Sequence, residues 1–269
     1  MRASIFLISA LAMGAAAAPK YPEFDLKHMK EPGAAIETLS NYFNMIAYKA
    51  KAAKVIGRPP ICDVSTAQMP TSPELLPPPS QGLKPHHIAL GRGTQNYTCA
   101  DSSDSTVPVA AGAVATLFNI SCLASVSPDL VTTVANMAIH FSVDEVTHRP
   151  LGPTPWPVSG VHYFRAPGVA FFNLDEGSTA DKYGEAPCMK NASAVAPAAA
   201  AVGPKGEKAV PWLKLNTIEG ATQDIKEVYR IDTVGGSAPA TCKGMSKTFT
   251  VEYAAVYWFW SGEIVEDDK

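Results

Sequence analysis

The residues best suited to chemistry are six histidines: His28, His86, His87, His140, His148 and His162. His140 and His148 flank the segment FSVDEVT, which holds Asp144 and Glu145. Imidazole and carboxylate in such proximity are the ligand types a zinc centre takes. No two histidines have the i, i+4 spacing that puts two ligands on one helical face. A metal centre is therefore not expected. A hydrolytic or metal-dependent site could still assemble in space from His87, Asp144, His148 and Glu252, and this is the alternative functional reading.

The stretch LGRGTQNYTC, Leu90 to Cys99, opens like a phosphate-cradling loop. A dinucleotide fingerprint needs a third glycine and a following helix. Asn96 stands where the third glycine would be, and ADSSDSTVP follows, which has no apolar helical face. TVGGSAPATC, Thr233 to Cys242, fails for the same reason. No nucleotide cofactor, or any other, is implied. The glycines are expected to supply a bulge or a positive φ. There is no Gly-x-Ser-x-Gly elbow. The paired acids Asp144/Glu145 and Asp175/Glu176 are adjacent, so on a strand they point to opposite faces.

Amphipathic rings give the stronger hint. Tyr97, Trp156, Tyr163, Trp212, Trp258 and Trp260 are of the kind that stack on sugars or fill protein interfaces. Trp156 ends the proline-stiffened segment HRPLGPTPW and is expected to be exposed; Trp212 and Trp258 are expected in the core. The candidate ligand-binding residues are His87, Arg92, Gln95, Tyr97, His148, Trp156 and Glu252.

These residues need a scaffold. The chain has 269 residues, 46% of them hydrophobic and only 17% charged, with a formal charge of −3. Without a basic cluster, nucleic acid is excluded as a partner. MRASIFLISALAMGAAAAPK has Arg2, an apolar run from Ile5 to Met13, and small residues before cleavage after Ala16, Ala17 or Ala18. This is the pattern of a secretory leader, residues 1–18. The apolar run is too short to span a bilayer, and no membrane span is expected. The five cysteines, Cys62, Cys99, Cys122, Cys188 and Cys242, then meet an oxidising compartment. The expected bridges are Cys99–Cys122, joining neighbouring strands, and Cys62–Cys242, pinning an arm. Cys188 is left free in an exposed loop. Asn96, Asn119 and Asn191 head N-glycosylation sequons, with Asn191 in the most loop-like context.

Ile36, Leu39, Phe43, Ile46 and Ala50 repeat at helical spacing, predicting a helix within residues 19–57. Eight prolines between Arg58 and Pro85 predict an extended arm over 58–85. The domain proper spans 86–262. Strands are predicted at 86–99, 112–119, 161–164, 169–174, 212–215, 227–233 and 247–260. Ser127 to His140 reads as a short helix, with Ser127 as N-cap and Pro128 at N1, and its β-branched pairs make a strand the competing reading. Gly184 to Gly206, rich in Ala and Pro, reads as a loop. The last strand, KTFTVEYAAVYWFW, alternates between one face carrying Tyr253, Ala255, Tyr257 and Phe259 and another carrying Glu252, Ala254, Val256 and Trp258. Strands that do not alternate with long helices predict a mainly β domain, a single sandwich or barrel, rather than a doubly wound sheet.

The ordered series LPPPS, HIALGRGTQNYTC, GAVATLFN, ADKYGEAP, VPWLKL, YRIDTVGGSAPATC and YAAVYWFW resembles a family of secreted fungal and bacterial proteins, a domain of unknown function whose members often carry the label malate dehydrogenase. The resemblance covers about Pro59 to Trp260. It implies secretion and a mostly β domain, and no reaction, cofactor or catalytic residue. Val256 stands where the family's last motif is expected to have an acid. The leading expectation is a secreted, non-catalytic domain that binds an extracellular polysaccharide or a surface protein.

Overall fold

The computed structural model describes residues 62–71, 76–143 and 156–263. The leader, the predicted N-terminal helix, Asp144, Glu145 and His148 lie outside the described residues. Eight strands follow one another: β1 (Lys84–Thr98), β2 (Val109–Asn119), β3 (Val158–Ala166), β4 (Val169–Asn173), β5 (Glu185–Ala194), β6 (Trp212–Thr217), β7 (Ile225–Gly235) and β8 (Thr248–Ser261). Each pairs antiparallel with the next, and β8 pairs with β1, closing a barrel. Closure leaves no unpaired sheet edge. The meander also excludes the doubly wound sheet a dinucleotide site would need. Between β2 and β3 the described residues include two short α-helices, α1 (Ser121–Val126) and α2 (Val131–Ala138).

The strand period of two gives the barrel two cores. The inner one holds Ala89, Ala113, Ala115, Leu117, Phe172, Tyr253, Ala255, Tyr257 and Phe259. Small residues on β1 and β2 face large rings on β4 and β8. Gly91 belongs to this arrangement: a Cβ there would lie 2.5 Å from the Tyr257 ring. The bulge in β1 falls at His86, the irregularity opposite Asn96/Tyr97 is a bulge of β2 at Ala111, and neither Gly91 nor Gly93 has a positive φ. The expected role of Gly91 and Gly93 as bulge or left-handed residues is thus replaced by one of making room inside the barrel, whereas Gly235 and Gly236 do take the positive φ expected of them.

The outer core is formed by Ile88, Leu90, Phe118, Tyr229, Ile231, Val256 and Trp258 on the outward faces of β1, β2, β7 and β8. Helix α2 covers them with Val131, Val134, Ala135 and Ala138. β8 is therefore buried on both faces. Val256 is fully buried in the outer core, where an acid would be stranded among apolar side chains.

The strap Leu76–Ser80 is fastened to the outer wall by a buried ionic cluster. The Lys214 ammonium lies 2.9 Å from a Glu227 carboxylate oxygen and also donates to the Pro78 carbonyl at 2.9 Å. Ser80 Oγ donates to Glu227 at 2.6 Å, and the Tyr229 hydroxyl donates to the Pro77 carbonyl at 2.9 Å. Proline carbonyls have no strand partner, so these side chains supply the donors they need.

Several expectations change. Residues 185–194, read as loop, form β5. Pro187 fits there because its carbonyl accepts from Ile218 N at 2.9 Å, just past the end of β6, so no ladder donor is missed on that side. Ser127 caps nothing through its side chain; a turn over Pro128–Leu130 leads into α2 instead. The disulfides are Cys62–Cys122 and Cys99–Cys242, not Cys99–Cys122 and Cys62–Cys242. Cys99 directly follows β1 and Cys242 lies in the β7–β8 connection, both at one end of the barrel; Cys122 lies in the first turn of α1 at the other end. Cys188 is unpaired, as expected, but is buried on β5 within the inner core rather than exposed in a loop.

Candidate functional site

The candidate residues on β1 separate by parity and by height along the strand. Arg92 points outward and its side chain is 1% exposed. It donates to the carbonyls of Phe141 at 2.9 Å, Ile139 at 3.3 Å, Tyr253 at 3.2 Å and Gly93 at 3.1 Å, and it pairs with Glu252. The carbonyls just past α2 have no helical partner, and a guanidinium satisfies them. Arg92 and Glu252 thus clamp the helix to the wall.

His87 points inward at the opposite end and is fully buried. Its Nε2 lies 2.9 Å from Ser159 Oγ and its Nδ1 3.3 Å from Ser121 Oγ. Burial, with a lesser contribution from the charge on His86, holds its pKa down at about 3. His87 and Glu252 therefore lie on opposite faces of the wall, seven register steps apart along β8. Among the described residues no three His, Cys, Asp or Glu side chains converge as a metal site would require. Ser121 beside His87 resembles a nucleophile and base, but an imidazole with so depressed a pKa is a weak base. The Ser121 hydroxyl is also engaged with β1, accepting from Ile88 N at 3.0 Å.

Beyond the side chains that cover His87, the barrel end opens into a cleft of about 610 Å³, which His87 itself does not line. Its walls carry His86, Asn119, Ser121, Leu123, Trp156 and Tyr183, with the Cys62–Cys122 bridge on the rim. Tyr183, from the β4–β5 connection, stacks on His87 with ring centroids 4.3 Å apart. Asn119 Nδ2 donates to the Tyr183 hydroxyl at 3.0 Å, and that hydroxyl donates to Asp181 at 3.3 Å. A His86 ring nitrogen lies 2.9 Å from the Tyr183 carbonyl oxygen. Trp156 is half-buried, resting on the outer core while lining the cleft. The lining offers two aromatic rings together with uncharged amide and hydroxyl groups. Barrel mouths are common ligand sites, and such lining orients a polar ligand without ion pairing.

The structure thus brings His87 and Trp156 to one end. Gln95 and Tyr97 lie near the other, where the Tyr97 hydroxyl donates to the Gly236 carbonyl at 2.8 Å. Asn119, expected as a glycan acceptor, has its amide engaged in the cleft. Asn96 is half-buried, and Asn191 is exposed at the β5 bulge between Lys190 and Ala192. Sequence reasoning missed Tyr183, Ser121 and His86 as cleft residues. Tyr183 lies in the ADKYGEAP segment, whose aromatic among turn residues was the available signal.

No curated protein and no solved structure matches the chain. Residues 79–261, from the end of the proline strap to the last residue of β8, match a family described as a protein of unknown function, DUF3455. The match spans more than half of the chain and the whole of the barrel, and the chain belongs to the DUF3455 family.

Proposed function

We propose that this chain is a secreted, non-catalytic binding protein whose barrel-end cleft holds a neutral carbohydrate unit of an extracellular polysaccharide. The observation that carries the reading is the placement of Trp156 and Tyr183 in one cleft with Asn119 and Ser121. Aromatic faces accept the C–H face of a sugar, and amide and hydroxyl groups match its hydroxyls. The lining holds no Lys or Arg, which favours a neutral sugar over an acidic one. Secretion is supported by the leader-like N-terminus, three sequons and two disulfides. The described helices include none long and apolar enough to cross a membrane.

The test is a glycan array probed with the mature protein, run beside the Trp156→Ala variant. Binding to a neutral oligosaccharide that the variant loses supports the reading. No glycan retained, or equal retention by both proteins, refutes it.

A further inference from the structure

We propose that the barrel interior on the side of Tyr97 and Gly236 is an oxyanion site, with the Arg230 guanidinium supplying its charge. Arg230 projects inward from β7, between Leu213 of β6 and Tyr257 of β8. Only 9% of the residue is exposed. Its Nη2 donates to the Pro211 carbonyl at 2.9 Å, while its Nε is buried and has no acceptor. Among the described residues no carboxylate pairs with it. The contrast within the same wall is direct. Arg92 is paired with Glu252, and Lys214 with Glu227. Arg230 is the buried cation without an acid, and burying a charge in that state is costly.

A second donor lies in the same region. Gln95 is also 9% exposed, and its Nε2 is buried with no acceptor. Gly236 ties the group together: it accepts from the Tyr97 hydroxyl, and a Cβ on it would lie 3.3 Å from Gln95 Cγ and 2.9 Å from Tyr253 Cβ. Arg230 also shares a side-chain hydrogen bond with Tyr257, and its charge is felt at Tyr97, Tyr253, Tyr257 and His162. Unused donors beside a positive charge call for an acceptor that is itself negative. A guanidinium edge presents two parallel N–H groups, which fit the two oxygens of a carboxylate or a phosphate. The ligand class is therefore a small molecule carrying an oxyanion. This site is separate from the cleft, whose lining includes neither Arg230 nor Gln95.

The experiment is thermal unfolding of the mature protein in sodium acetate, sodium phosphate and sodium chloride at matched ionic strength. A ligand that binds only the folded state raises Tm with its concentration. The expected result is a concentration-dependent rise in acetate or phosphate above that in chloride, absent in Arg230→Met and reduced in Gln95→Leu. A rise in acetate identifies a carboxylate site, and a rise in phosphate alone a phosphate site. Comparing wild type with variant removes the general effect of phosphate on folded proteins. Should Arg230→Met fail to fold, Arg230→Lys keeps the charge, lacks the Nε donor and should lose most of the rise. Equal Tm in the three salts, or an undiminished rise in the Arg230 variants, overturns the proposal.

Discussion

Tyr183 lies nearly flat on His87, their rings 23° apart in tilt and 4.3 Å between centroids, so one residue both packs on the buried imidazole and lines the cleft. Truncating it should therefore affect stability and binding together. Tyr183→Ala removes the stack and the partner of Asn119, and should cost about 2–3 kcal/mol in urea unfolding. Tyr183→Phe keeps the stack and should cost about 1 kcal/mol, with weakened glycan binding. Equal stability losses for the two variants would contradict the stacking role.

Arg92 and Glu252 form one pair with unequal exposure, 1% and 42% of the side chain. Removing the guanidinium orphans several buried carbonyls, so Arg92→Met should destabilise by about 3 kcal/mol or more. Glu252 retains access to water, so Glu252→Gln should cost about 1 kcal/mol or less. Chemical denaturation of both variants checks the asymmetry. The reverse order would mean that the clamp works through the ion pair rather than through the α2 carbonyls.

Acid should destabilise the fold through its buried histidines. Burial lowers His87 to about 3 and His162 to about 4, against an ordinary value near 6.5. Below that value the unfolded chain takes up protons that the folded chain refuses. Stability is thus complete above about pH 6.5 and is lost as pH falls toward 4. Asp232 opposes this. Burial raises its pKa to about 6, so between roughly pH 4 and 6 the folded state holds the extra proton. Two histidines against one carboxyl leave a net loss of about 1 kcal/mol per pH unit near pH 5. Asp232→Asn should make that slope steeper, measurable from urea midpoints across pH 4–7; a flatter slope would contradict the assignment.

The two disulfides differ in access to reductant. Cys62 and Cys122 are exposed, while Cys99 is 3% and Cys242 0% exposed. Thiol exchange requires access to the sulfur. Mild dithiol treatment of the native protein should open Cys62–Cys122 first, as peptide mapping after alkylation would show. Cys188, buried and with its thiol pKa pushed up by that burial, should stay unlabelled until the chain unfolds.

β8 was legible because its alternation is strong and uninterrupted, and both of its predicted faces are occupied as predicted, one in each core. β5 was not legible: EAPCMKNASA is poor in β-branched and aromatic residues, and its pairing is imposed by β4 and β6. The disulfide pairing was unreadable because it depends on which barrel end each cysteine reaches. The cleft was hidden for a similar reason. His86 comes from the start of β1, Asn119 from the end of β2, Trp156 from the approach to β3 and Tyr183 from the approach to β5. Only barrel closure makes these four neighbours. Trp156 was singled out by its stiff proline context, whereas Tyr183 had no comparable signal. Arg92 and Glu252 were marked as ligand candidates from their residue types, and it is the contact of Arg92 with the α2 end, and of Glu252 with Arg92, that gives them a scaffold role.

The most direct test of the cleft is isothermal titration of the mature protein with the neutral oligosaccharide it retains best on an array, repeated with Trp156→Ala and with Arg230→Met. The account predicts that Trp156→Ala weakens binding at least about tenfold, a loss of about 1.4 kcal/mol, while Arg230→Met binds as tightly as the wild type. Unchanged affinity in Trp156→Ala would contradict it.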